Sequence, residues 1–476
     1  MEAQPKNYIL SVFLLVALVV VILVGLKFAD STTGELNLKS MNLFSQVEKD
    51  SSKQKGSLST VDDPSLLPPP GSRKKEDMPS SEEQVSHGTQ YINEGNRLGV
   101  VRFNDYSEDG NGLHSFFEKL HSIKSLHRPV RIAFFGDSFI EGDIFSGDLR
   151  LLFQENFGGK GVGMMPVTSQ VNGFRNTVIH QFSAWDTYSF NNCPDKSLLG
   201  ISGSEFTPQK NAWVYYQGVN KDCLDSWSRV SVFYTLPGND TRIFYKRNKG
   251  VSVYASLPKA ENVGRVNIDG NCSNIQISFP PLNNLHVYGV SLEDTTGVLL
   301  DNYSIRGFSG TGLQSFSREK LSQFNDLLHY DLIILGYGLN VTEAKRTDYE
   351  TYETEMIKTI NYLKASFPDA SILSIGVPDR SYKENGDYKT MPGILSMIEH
   401  QKDMCKKTGI VFWNLFEAMG GENSMPLFVN SNPSKANKDY THLTFAGGEY
   451  LGNLLYETFM YEKEAYEKKS SQAMVK

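Results

Sequence analysis

The sequence predicts an α/β protein: a doubly wound parallel-sheet domain with an inserted antiparallel β-sandwich module, preceded by one transmembrane helix and a disordered tether. Three observations predict it. A long apolar run lies close to the N-terminus. Short apolar runs that end in small and polar residues alternate with helical periodicity over residues 105–175 and again over 298–465, the pattern of parallel strands joined by helices. Between them, residues 176–297 hold aromatic and β-branched runs separated by turn signals, the pattern of an antiparallel sheet.

From Ile9 to Leu26 only Ser11 and Gly25 interrupt the apolar run. Eighteen residues at about 1.5 Å each span roughly 27 Å, close to the hydrocarbon thickness of a bilayer. A cleaved signal peptide has a shorter apolar stretch and a small-x-small exit, whereas here the exit reads GLKFADSTTG, with Lys27 where cleavage would fall. An uncleaved anchor over 8–27 is expected, with residues 1–7 cytoplasmic. Lys6 and Lys27 flank it on both sides, so orientation rests on the polar bulk downstream, placed outside the cytoplasm. Residues 28–95, centred on LLPPPGSRKKEDMPSSEEQ, lack hydrophobic periodicity and read as a disordered tether.

The remaining chain is long enough for one large or two medium domains, and 39% apolar residues supply a sizeable core. A net charge of −7 without a long basic run argues against a nucleic-acid partner. Cys193, Cys223 and Cys272 lie within one stretch and Cys405 lies apart. One disulfide among the first three and four free thiols are both open, and no spacing suggests a metal or another cofactor.

In chain order, Leu113, Phe116, Phe117, Leu120, Ile123 and Leu126 recur at helical spacing before Pro129. VRIAFFGDS then reads as a buried strand, and FSGDLRLLFQENFGG as a helix closed by glycines. After the inserted module, GVLLDNYSIRG, YDLIILGYGLN and SILSIGVP read as strands. YETYETEMIKTINYLKASFP and GILSMIEHQKDMCKKTG read as helices, IVFWNLFEAMGG as a strand leading into a loop, and a last helix begins near Leu443.

Chemistry concentrates where these strands end. Gly136-Asp137-Ser138 closes the first strand, SIRGFSG follows another, ILGYGLN ends at Asn340 after a third, and Asp439-Tyr440-Thr441-His442 precedes the last helix. Ligands of an open parallel sheet gather outside the carboxyl ends of its strands, so these loops are expected to meet. A serine hydroxyl needs a base to become a nucleophile. A histidine, with an ordinary pKa near 6.5, is suited to that, and an aspartate three residues earlier can hold its tautomer. Asp137, Glu141, Asp143 and Asp148 crowd the serine; acids before a helix favour its dipole. Trp213, Tyr215, Tyr216 and Trp227 of the insert are either core residues or platforms for sugar rings.

The ordered set resembles the four motif blocks of the SGNH (GDSL-type) hydrolases. Gly136-Asp137-Ser138-Phe139 is similar to the nucleophile block, Gly307 to the block-two glycine, Gly338-Leu339-Asn340 to the glycine-x-asparagine block, and Asp439-x-x-His442 to the terminal block. Val341 stands where many members carry an aspartate, a departure outside the triad. The resemblance implies a Ser138–His442–Asp439 triad, with the backbone N–H groups of Ser138 and Gly307 and the Asn340 amide as oxyanion donors. The inserted β module resembles the layout of bacterial peptidoglycan O-acetylesterases. It implies a serine esterase acting on acylated cell-envelope glycan, and leaves open an O-acyltransferase or a glycan-binding protein without catalysis.

Overall fold

The computed structural model describes residues 91–92 and 100–474. The expected cytoplasmic N-terminus, anchor and most of the tether lie outside the described residues. Among the described residues no helix is long and apolar enough to cross a membrane. The tether expected up to residue 95 contains one strand, β1 (Tyr91–Ile92), antiparallel to β2 (Val100–Val101).

The central sheet has six strands. β3 (Asn104–Asp105) is an antiparallel edge, and β4 (Val130–Gly136) carries the first long apolar run. β14 (Val298–Ser304), β15 (Tyr330–Gly336), β16 (Ser371–Ile375) and β19 (Val411–Trp413) complete it in the order β14-β4-β15-β16-β19-β3, the first five parallel. All seven residues of β4 are buried, which explains why its sequence shows no alternation: helices cover both faces of a parallel sheet. α1 (His114–His121) and α2 (Ser146–Phe157) pack with the long terminal α8 (Phe445–Met474); α3 (Arg318–Leu328), α4 (Glu350–Ser366) and α5 (Pro392–Thr408) form a second group. α6 (Leu415–Ala418) replaces the loop expected after β19, and α7 (Ser424–Asn430) precedes the histidine loop. The chain enters the parallel part of the sheet at β4, steps to β14 on one side and to β15 on the other. β4 is therefore the switch point, where connections leave in opposite directions and open a crevice.

The insert contributes β5 (Gly163–Met165), β6 (Val178–Ser189), β7 (Ser204–Gly218), β8 (Trp227–Leu236), β9 (Thr241–Arg247), β10 (Val253–Leu257), β11 (Ala260–Cys272), β12 (Asn274–Ser278) and β13 (His286–Glu293). The sandwich expectation is corrected here. These strands form one hydrogen-bonded antiparallel sheet of nine, in the order β10-β9-β12-β7-β13-β8-β11, with β5 on β13 and β6 on β7. Its end strands β10 and β11 return into contact, so the sheet nearly closes. The bend comes from β6 and β7. Ala184 and Asn211 both take positive φ, 64° and 66°, at the register shift between Ser183 and Trp185. A bulge of this kind sharpens the twist and lets β7 pair with β13 at Phe206 and with β12 from Trp213 on. The sheet also takes in residues 163–165, ahead of its expected start at 176.

A buried ion cluster joins the two sheets. Arg131 of β4 donates to Asp301 of β14 at 3.1 Å and to Glu293 of β13, and Glu293 also accepts from Arg265 of β11 at 2.5 Å. Removing one partner would strand a buried charge, a change that typically costs about 3–5 kcal/mol. The four cysteines are free thiols.

Candidate active site

Three adjacent strands deliver three loops to one place. Ser138 follows β4, Gly307 follows β14 and Asn340 follows β15. His442 comes from a separate loop, three residues before α8. Its position depends on how closely α8 approaches the nucleophile segment. A Cβ on Gly448 would stand 1.7 Å from the Ile144 carbonyl oxygen, so only glycine permits this contact between the first turn of α8 and the segment after Ser138.

The three residues expected to form a relay are brought together. Ser138 Oγ lies 3.1 Å from His442 Nε2, and His442 Nδ1 lies 2.8 Å from Asp439 Oδ2. The second oxygen of Asp439 accepts the backbone N–H of Thr441 at 2.9 Å and of His442 at 3.0 Å. The acid and the imidazole thus sit in one turn whose own amides orient the carboxylate. Partial burial works to raise the Asp439 pKa, but the amide and ring of His442 and the amide of Thr441 outweigh it and hold the carboxyl below its ordinary value. The relay faces solvent: the His442 side chain is 41% exposed and that of Asp439 50%.

Two candidate oxyanion donors are free to act. Among the described residues, neither the Ser138 N–H nor the Gly307 N–H has an acceptor. Gly307 lies exposed at φ +73°, between Arg306, which pairs with Glu141, and Phe308, whose carbonyl accepts from Asn340. Asn340 reaches the site in a different state. Its Nδ2 donates to Asp137 Oδ2 at 2.7 Å and to the Phe308 carbonyl at 3.3 Å.

The acids around the serine have distinct roles that helix-dipole reasoning missed. Only Asp148 lies in the first turn of α2. Asp143 is a buried hub that accepts from Ser146, Arg150, Arg175, Thr177 and Asn302, tying the nucleophile segment to the start of the insert. Glu141 pairs with Arg306. Asp137 is buried beneath the site among Phe134, Phe139, Ile140, Tyr337 and Leu339. That burial pushes its pKa up to about 6, although the Phe139 amide and His442 pull it back part of the way. Its partnership with Asn340 spans 203 positions and had no sequence signal.

Nor did the brace on the histidine turn. The hairpin of β17 (Ser381–Glu384) and β18 (Asp387–Thr390) stacks Tyr388 on Tyr440, ring centroids 3.5 Å apart and planes 8° from parallel. The Ser381 N–H donates to the Tyr440 carbonyl at 3.1 Å. An Asn385-Gly386 turn signal joins the two strands. The insert aromatics divide: Tyr216 and Trp227 are core, while Trp213 and Tyr215 alternate outward with buried Val214 and Tyr216.

No family model matches this sequence, and no curated protein does. Among solved structures, a peptidoglycan O-acetylesterase matches 76% of this chain and 99% of its own length at 20% identity, with a TM-score of 0.62. A salicylyl-acyltransferase of a tetracycline biosynthetic pathway covers 60% of this chain and 98% of its own at 12% identity and a TM-score of 0.27. A family two carbohydrate esterase from Cellvibrio japonicus covers 60% and 98% at 8% identity and a TM-score of 0.26. Of these, only the first shares the overall fold of this chain. Sequence blocks, sheet order and that structural match agree: the chain has an SGNH hydrolase-like fold interrupted by an antiparallel insert.

Proposed function

We propose that this protein is a serine esterase that removes acyl groups, O-acetyl above all, from a cell-envelope glycan such as peptidoglycan. The observation that carries the reading is the unbroken hydrogen-bond chain Ser138–His442–Asp439 at the switch point of the sheet. In this reading His442 Nε2 takes the Ser138 proton as Oγ attacks the ester carbonyl, and Asp439 holds the imidazolium that forms. The N–H groups of Ser138 and Gly307 receive the oxyanion. Asn340 joins them by exchanging its 3.3 Å bond to Phe308 for one to the oxyanion, while Asp137 keeps hold of the other N–H. Each such donor is worth about 2.7–4 kcal/mol in the barrier. His442 returns the proton to the departing sugar hydroxyl, and the cycle repeats with water on the acyl-enzyme. The exposure of His442 and Asp439 favours water as acceptor over transfer to a second sugar.

The likeness to a peptidoglycan O-acetylesterase supports the choice of glycan. Residues 8–27 would hold the enzyme at the membrane with its catalytic domain outside the cytoplasm. The test is acetate release from O-acetylated peptidoglycan by the full chain, with Ser138→Ala as control. Release that depends on Ser138 is expected. Hydrolysis of small acetyl esters with none of the glycan would sink the substrate assignment, and acetate appearing on an added acceptor sugar would make the protein a transferase.

A further inference from the structure

Phe174 is a large apolar side chain left 51% exposed within reach of the nucleophile segment. Its ring lies over Gly142, four residues after Ser138, where a Cβ would stand 2.7 Å from Phe174 Cδ1. Gly142 also holds φ +68°, so a side chain there is opposed twice. The other neighbour is Phe445, three residues after His442, stacked on Phe174 with centroids 5.1 Å apart and planes 29° from parallel. One exposed ring therefore rests on both segments that supply the proton relay.

The segment that carries the ring is also tied down. The Phe174 and Arg175 N–H groups both donate to the Val171 carbonyl at 3.0 Å. Asn172 Nδ2 donates to the His180 carbonyl of β6 at 3.2 Å. Arg175 Nη1 reaches the buried Asp143 carboxylate at 3.1 Å. One face of the ring is already covered by Gly142 and Phe445; the face left exposed returns further free energy only when something covers it. Glu141, the chain neighbour of Gly142, forms a partly exposed ion pair with Arg306, with Arg306 Nη2 and Glu141 Oε2 2.6 Å apart. A flat apolar ring next to a charged hydrogen-bonding pair is complementary to a pyranose, which has an apolar C–H face and hydroxyl edges.

We propose that Phe174 is the platform for the sugar ring that bears the scissile ester, with Glu141 and Arg306 facing that sugar's hydroxyl edge. The inference rests on the glycan-esterase reading and adds to it the residue that reads the leaving group. The platform contributes to holding the sugar and not to the chemistry of the acyl group. Its signature is a change in preference between a glycan ester and an ester whose leaving group is too small to reach the ring.

The experiment measures kcat and KM for the full chain, Phe174→Ala and Phe174→Tyr, on an O-acetylated glycan and on ethyl acetate. The ratio of kcat/KM on the glycan to that on ethyl acetate should fall roughly 3–10-fold in Phe174→Ala, through KM on the glycan, and stay near the parental ratio in Phe174→Tyr, which keeps the stacking face. A parental ratio in Phe174→Ala, including one in which both substrates suffer equally, would mean that the ring only packs the two segments together and would overturn the platform alone. A parent that hydrolyses ethyl acetate but leaves the glycan untouched would overturn the glycan reading and the platform with it.

Discussion

The carboxyl edge of the parallel sheet and the outer face of the insert handle their side chains in opposite ways. At the sheet edge a few polar groups converge from distant loops into a short chain of specific contacts: Ser138 with His442, His442 with Asp439, Asn340 with Asp137. On the insert the groups spread. Tyr254, Phe244, Ser278, Trp213 and Ser183 pair directly, one strand after the next, along β10, β9, β12, β7 and β6. Four steps of about 4.8 Å make a row roughly 19 Å long. The adjoining row holds Lys246, Gln276, Tyr215 and Gln181. Directly paired residues share a face, and residues between the two rows, such as Val214 and Ile277, are buried. A convergent site fails when one group is lost, whereas a distributed face should lose function in small steps.

The sharpest way to break this contrast is at the relay. Ser138→Ala or His442→Ala should each lower kcat by about 10⁴–10⁶, with the double variant little worse than either, because the two act in one step. Asp439→Asn should cost about 10²–10⁴ by misorienting the imidazole. Assays of kcat on a simple acetyl ester, with folding checked by circular dichroism, decide it. Additive losses in the double variant would show that serine and histidine do not share a step.

Asp137 sets stability against activity. Its folded value of about 6 lies above the ordinary 3.8. Between those values the native state keeps a proton that the unfolded chain has released, so this group's contribution to stability falls as pH rises from about 4 to 6 and stays low above. The gap corresponds to about 3 kcal/mol, part of which the charge recovers by gripping Asn340. Asp137→Asn should therefore stabilise the fold by about 1–3 kcal/mol at pH 7.5, with the gain fading by pH 4.5. It should lower kcat roughly 10–100-fold, because an amide at 137 no longer compels Asn340 to present its N–H groups. Denaturation midpoints at the two pH values, beside kcat, test both halves. A gain in stability that ignores pH would remove burial of the charge as its cause.

A smaller effect is expected at Tyr388. Tyr440 holds φ +55° in the middle of the relay turn, a conformation that costs a non-glycine residue about 1 kcal/mol or more. The stacked ring of Tyr388 and the Ser381 N–H offset that strain from outside. Tyr388→Ala should lower kcat about 3–10-fold, through a relay populated less often, with KM nearly unchanged and Tyr388→Phe restoring the rate. The low-field proton signal of the His442–Asp439 bond should weaken in parallel. Parental kcat with an unchanged signal would reduce the hairpin to decoration.

The strands of the parallel sheet were legible in the sequence because burial on both faces writes them as unbroken apolar runs, as in Val130–Gly136. Ser138, Asn340, Asp439 and His442 were legible as candidates because each stands at the end of such a run or just before a helix. What the sequence hid is what depends on residues far apart in the chain. The strands of the insert announced themselves, but their joining into one nearly closed sheet depends on Ala184 and Asn211 adopting positive φ, which alanine does not signal and which asparagine tolerates in many settings without specifying. The salt links of Asp143, the grip of Asp137 on Asn340 and the stacking of Tyr388 on Tyr440 all join distant segments by side chains that are ordinary in their local context. Of the four insert aromatics singled out from sequence, Tyr216 and Trp227 proved to be core, since only register shows which face a strand residue takes.

The smallest expected effect lies on that outer face. If Trp213, Phe244 and Tyr254 capture glycan and take no part in chemistry, each contact is one among several along the row. Trp213→Ala or Phe244→Ala should raise KM on polymeric O-acetylated glycan about 2–5-fold and leave kcat alone. Phe244→Ala is the cleaner probe, because Phe244 is 51% exposed whereas Trp213 is half-buried. The two losses should combine on a long glycan and disappear on a short acetylated fragment that cannot span from Ser138 to the insert. Kinetics on both lengths test the division directly. A fall in kcat from either substitution would bring the insert into the reaction itself and erase the contrast between a convergent site and a distributed face.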